Sequence, residues 1–303
     1  MTDTLLLLPD FVLIAGGWLV CRYTPLDRRV WDGAERLVYY LLFPALLFGS
    51  IVRNPLSLDA ALPLAGSGLA VTVVGIGLAY ALRLGPGVDA KLHASGAQVA
   101  FRFNSYVALA VVERLAGAPG LAAIALIISF VVPVCNLAAV WPLARHGGQG
   151  YLRELLRNPL ILATVSALLF NLVGLRLPAL AEVTLSRTGA AALPLGLMAV
   201  GAGLRLGALR EGPRLAAALL TIRHLLLPAA ALAIVTLLDL PLQQQLVVVI
   251  FAALPTSSSA YVLAVQMGGH GPYVASLVTL STGLAMASLP LTLAALNALQ
   301  ARL

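Results

Sequence analysis

Charge is scarce in this chain. Only 10% of its 303 residues are Asp, Glu, Lys or Arg, where a soluble domain carries about 25%. That deficit excludes a water-exposed globular surface. There are two cysteines, Cys21 and Cys135, both in apolar surroundings. They read as buried thiols and supply neither a disulfide framework nor a metal cluster. The four histidines (93, 146, 224 and 270) are scattered, and no paired-carboxylate site or GxxxxGK[ST] phosphate loop is present. Catalysis, ATP-driven pumping and a resident cofactor or metal are therefore not expected. A formal charge of +7 would suggest nucleic acid in a soluble protein. Here it reads as arginine in short loops between membrane spans, and no nucleic-acid partner is expected.

What is present is apolar sequence: 60% hydrophobic residues and a mean hydropathy of +0.97. The reading is an all-α integral membrane protein in the lipid bilayer. Windows of about 17 to 25 apolar residues count as spans. They fall near 5–21, 35–52, 60–82, 94–115, 119–143, 159–175, 188–204, 214–238, 243–266 and 272–296. The run from Leu5 lacks a basic leader and reads as a retained span, not a signal peptide.

The stretch that organises the rest is Leu254 to Val265, LPTSSSAYVLAV. Pro255 removes an N–H and crowds the carbonyl four residues back, so a spanning helix should break there. Freed backbone groups cannot face lipid and must be covered by protein or line a wet cavity. A kinked helix whose hydroxyls bond back onto their own turn is the plainer alternative. A second copy of the pattern favours the break. Asn104-Ser105-Tyr106-Val107-Ala108-Leu109-Ala110-Val111 matches Ser259-Ala260-Tyr261-Val262-Leu263-Ala264-Val265 at an offset of roughly 155. Phe43-Pro44-Ala45-Leu46-Leu47 matches Leu193-Pro194-Leu195-Gly196-Leu197 at an offset of 150. Interrupted segments at matching places in two halves point to a transporter binding site.

The domain reading is therefore a first five-helix repeat (1–143), a connecting cytoplasmic loop (144–158) and a second, inverted five-helix repeat (159–303). With the N-terminus outside, twelve of the nineteen Lys and Arg fall in inner loops and five in outer segments. That bias puts both termini on the outer side.

Candidate substrate-binding residues are Asn104, Ser105 and Tyr106 in the first half, and Pro255, Thr256, Ser257, Ser258, Ser259 and Tyr261 in the second. An asparagine amide can hold a carboxylate without itself being charged, and half-helix N-termini at a break favour anions. Asn104 equally suits the cap of a frayed helix. Arg102 can attract an anionic substrate or snorkel to an interface. Asp10 can act as a proton or cation site, or sit at the outer interface. Arg223 and His224 can form a titrating pair or mark a span edge.

Several stretches taken together resemble the auxin efflux carrier family. They are Leu37 to Ser50 (LVYYLLFPALLFGS), Phe101 to Tyr106 (FRFNSY), Asn158 to Leu162 with Asn171 to Leu175, Leu193-Pro194-Leu195, and Leu254-Pro255-Thr256 with Ala260 to Ala264. The resemblance runs in order along essentially the whole chain. It implies ten transmembrane helices as two inverted five-helix repeats, a fold shared with bile acid sodium symporters, with broken crossover helices 4 and 9. It also implies a scaffold from spans 1, 2, 6 and 7, and a mobile transport domain from spans 3–5 and 8–10 that moves like an elevator. Plant members export auxin, a weak organic acid, and form homodimers; bacterial members are linked to malate or malonate. The family's first-crossover asparagine and second-crossover proline correspond to Asn104 and Pro255. Many relatives have a first-crossover proline where this chain has Val111, and an asparagine where it has Ser258 or Ser259.

The expected function is thus secondary transport of small organic anions across the cell inner membrane, by export or facilitated transport. A sodium- or proton-coupled importer on the same fold, and a non-transporting sensor or channel, are the alternatives.

Overall fold

The computed structural model describes residues 8–53, 58–144, 159–204 and 212–301. Every regular element among them is a helix, as an apolar chain in lipid requires, because a helix satisfies its backbone within one segment. Among the described residues, six helices are long and apolar enough to cross a membrane, including Arg28–Arg53, Ala61–Leu84, Pro213–Leu237 and Gly271–Gln300. The shorter apolar helices Phe11–Tyr23, Leu162–Leu172 and Leu242–Ala253 accompany them. Buried hydroxyls along these helices mostly bond back one turn. Thr72 donates to Gly68 O at 2.8 Å, Thr164 to Leu160 O at 2.9 Å and Thr282 to Val278 O at 2.9 Å. Such bonds let a polar side chain sit in an apolar helix without a distant partner.

The chain forms two compact units. The first comprises Met1–Leu62, Leu109–Ser129 and Tyr151–Gly203. In it, Leu8–Tyr23 packs along Ala192–Ala202, and Phe43–Arg53 packs against Pro159–Leu172 and Ala179–Ala190. Small residues set the first of these approaches. A Cβ on Gly17 would run into the Met198 backbone, and one on Gly201 into the Ile14 carbonyl. Close backbone approach at glycines is how helices pack where lipid removes any hydrophobic drive between them. Asn171 Nδ2 donates to Ile51 O at 2.8 Å, tying two further helices.

The second unit comprises Pro63–Ala108, Phe130–Gly150 and Leu204–Leu303. Leu242–Ala253 packs against Leu227–Leu237 and Gly271–Gln300. Tyr80 OH donates to Ala138 O. Residues Ile222–Leu226 form a single π-turn between Pro213–Thr221 and Leu227–Leu237. Pro228 follows immediately; having no N–H to offer the His224 carbonyl, it favours this slip of register. The inner-loop arginines Arg145, Arg153, Arg157, Arg205 and Arg210, and the connecting loop from residue 145 on, lie outside the described residues.

The glycine packing gives a direct test. Gly201→Ala forces a methyl against backbone and should destabilise by about 1–3 kcal/mol. It should appear as a clear fall in Tm in detergent. Gly16→Ala, where a Cβ meets nothing within 4 Å, should leave Tm within a degree or so of the parent.

Candidate functional site

Both interruptions lie in the second unit. At the later one, Leu242–Ala253 ends and Leu254 turns extended, at φ −61° and ψ 150°, as a residue before proline must. The backbone stays non-helical through Ser257 and resumes as Ser259–Gln266. Leu254, Pro255 and Thr256 are buried, Ser257 and Ser258 half-buried, and Ser259 exposed.

The half-helix end leaves carbonyls that water cannot reach. Arg223, only 1% exposed, supplies the donors. Its Nε donates to Leu254 O at 2.6 Å and its Nη2 to Phe251 O at 3.1 Å. The next residue, His224, pairs through Nε2 with Ser281 Oγ at 2.8 Å and through Nδ1 with Ser288 Oγ at 2.9 Å. Ser281 Oγ in turn accepts the Thr256 N–H at 2.9 Å. Thr256 Oγ1 is the one buried side-chain hydroxyl among the described residues with no partner, against the self-satisfied pattern elsewhere.

The earlier interruption needs no proline. Gln98–Phe101 ends at Arg102, extended at φ −73° and ψ 149°, and helix resumes at Ser105. Asn104 caps the new helix: its Oδ1 accepts from Tyr106 N–H at 3.0 Å and Val107 N–H at 3.2 Å. A side-chain oxygen there replaces the missing carbonyl partners of the first turn. Asn104 is 3% exposed, and its Nδ2 has no protein partner among the described residues. Val111 lies inside the resumed helix and is buried. The interruption thus falls at residues 102–104, ahead of Val111 and without a proline.

The two interruptions meet. Asn104 N–H donates to Pro255 O at 2.9 Å. Arg102 Nη1 donates to Ser259 Oγ at 2.8 Å, while its Nη2 donates to Asn136 Oδ1 at 2.6 Å. Gln98 Nε2 reaches Ala260 O at 3.1 Å and leaves its buried Oε1 unpartnered. Phe103 stacks edge-on against Phe251 with ring centroids 4.8 Å apart. Ser257 Oγ and Ser259 Oγ share a 2.8 Å hydrogen bond, which carries the contact along the serine run.

Of the residues singled out in the sequence, Arg102, Asn104, Pro255 and Ser259 are joined by direct bonds, and Ser257 through Ser259. Thr256 is held by its backbone. Ser105, Tyr106, Ser258 and Tyr261 are half-buried on or beside the first turns of the resumed helices. Asp10 is not among them. It lies on the opening turn of Leu8–Tyr23 in the other unit, and its side chain falls outside the described residues. Sequence reasoning left Gln98, Asn136 and Ser281 out of the site, and read Arg223 and His224 only as a titrating pair or a span edge. A signal existed for Arg223 and His224, a basic pair four to five residues before a proline in an apolar run.

The capping role of Asn104 separates from any other role by substitution. Asn104→Ala should lower stability by about 1 kcal/mol, whereas Asn104→Ser and Asn104→Asp keep a capping oxygen and should fall within a few tenths of a kcal/mol of the parent. Thermal unfolding of the three variants in one detergent measures this.

No curated protein matches the chain. Residues 143–293 match the membrane transport protein family, a segment that takes in the second interruption with Arg223, His224 and Ser281. The apolar helices and this match together make the chain an integral membrane protein belonging to the membrane transport protein family, whose members are transporters and not enzymes.

Proposed function

We propose that this transporter is a secondary carrier of small organic anions, chiefly carboxylates, bound where the two interruptions meet. One observation carries the reading: two arginines, Arg102 and Arg223, are buried beside the interrupted backbone. The acidic residues of that unit among those described are Asp89, which caps Ala90–Gly96, and Asp239, which sits in a turn. The local balance is cationic. A charge at membrane depth is costly and faces a cavity or a partner; an anionic substrate is the natural partner. Asn104 Nδ2 adds neutral donors, Thr256 Oγ1 adds a hydroxyl, and the opening turns from Ser105 and Ser259 add positive helix ends. Tyr106, Ser257, Ser258 and Tyr261 complete the lining in this reading, and Pro255 keeps the second helix open.

The surrounding architecture is ten spans in two inverted repeats, with both termini on the outer side of the cell inner membrane. Transport is an elevator-type movement of the unit that carries both interruptions, with the other unit as scaffold and the site of a homodimer contact. The division into two units supports this, since each gathers segments from both halves of the chain. With the cell interior negative, an uncoupled anion leaves the cell downhill by about 2.3 kcal/mol per charge per 100 mV. Export or facilitated transport follows.

Currents from purified protein in liposomes, across mono-, di- and indole-carboxylates, test this. Wild type should give saturable currents. Asn104→Asp, which keeps the cap but turns a donor into a repelling charge, should weaken apparent affinity at least about tenfold, as should Arg102→Gln. Silence toward every acid, or unchanged currents in both variants, would sink the proposal.

A further inference from the structure

A helix that stops inside a membrane protein leaves its last carbonyls and the negative end of its dipole without water. In carriers built on broken helices, such ends are where coupling cations sit. Here the end of Leu242–Ala253 is already occupied. Arg223 grips Phe251 O and Leu254 O with two of its three nitrogens. A guanidinium stays charged at any accessible pH, and its planar fork suits two carbonyls better than a compact ammonium would. The π-turn Ile222–Leu226 delivers Arg223 to those carbonyls and sends His224 to Ser281 and Ser288 instead. Among the described residues no carboxylate bonds to Arg223 to cancel its charge, and its Nη1 has no protein partner.

We propose that Arg223 is a tethered cation that takes the place of a coupling ion at the second interruption, so that this carrier binds and moves its anion without sodium. The proposal rests on the anion-carrier reading for its role in transport, but the occupancy of the carbonyls stands apart from it. A mobile ion must be captured and released in each cycle; a side chain is always present. A sodium ion at the same end would lose two carbonyl ligands and meet a like charge, so the two occupants exclude each other.

The test is thermal unfolding of purified wild type, Arg223→Lys and Arg223→Ala in sodium, potassium and choline chloride at one ionic strength, with and without low-millimolar guanidinium. A ligand that binds only the folded state raises Tm with its concentration. Wild type should unfold at the same temperature in all three salts. Arg223→Ala should unfold earlier and recover several degrees, saturably, with guanidinium or sodium; liposome currents should recover in parallel. Arg223→Lys keeps the charge and should remain insensitive to sodium, which decides the matter if Arg223→Ala cannot be purified. Saturable stabilisation of wild type or of Arg223→Lys by sodium overturns the proposal, as does an Arg223→Ala protein indifferent to every cation. Because Tm is read without a carboxylate, a failed anion panel leaves this result interpretable.

Discussion

The hydrogen bond from Asn104 N–H to Pro255 O is the contact on which the polar centre of this protein depends. Each interrupted helix has backbone groups that neither lipid nor its own helix can satisfy, at several kcal/mol apiece. The donor lacking a helical partner at one interruption meets the acceptor lacking one at the other. Neither interruption is stable alone, and together they fix each other's position. The remaining groups are met by side chains that the same arrangement brings close: Gln98 on Ala260 O, Ser281 on Thr256 N–H, and Arg223 on the half-helix end.

That solution leaves an electrostatic residue. Neutral donors, serines and amides, would have sufficed for these bonds, yet the half-helix end is met by the Arg223 guanidinium, and a second guanidinium, Arg102, bonds Ser259 Oγ and Asn136 Oδ1. In the proposed anion-carrier reading, burying them with no carboxylate bonded to Arg223 among the described residues gives a site whose field favours an anion, while the uncharged Asn104 amide and Thr256 hydroxyl keep it from holding one too firmly. Tight binding by a fully paired charge would oppose release, which a carrier needs as much as capture.

Much of this was legible in the residues. Pro255 and the serine run forecast a break because proline chemistry is local, and the helix stops at Ala253, two residues before it. The repeat of Asn-Ser-Tyr-Val as Ser-Ala-Tyr-Val led to the partner segment, and helix resumes at Ser105 and Ser259. The stopping point of the earlier helix was not legible. Arg102 turns extended with no proline or glycine to signal it, and its geometry is held by Asn136 and Ser259, distant in sequence. Arg223 was visible as a charge in an apolar run, but its depth depends on a π-turn, and one residue of register separates a lipid edge from a buried carbonyl. Gln98 gave no signal because a single amide in an apolar helix looks like any helix contact.

The most direct measurement of the central claim is thiol labelling at Ser257→Cys in a Cys21→Ser, Cys135→Ser background, with a membrane-impermeant reagent on oriented vesicles. If the meeting of the two interruptions holds the anion, labelling proceeds in its absence and is slowed, saturably, by the carboxylate that drives the largest current. The protection disappears when Asn104→Asp is added. Labelling at Ser257→Cys that no transported acid slows would place the anion elsewhere and contradict the account.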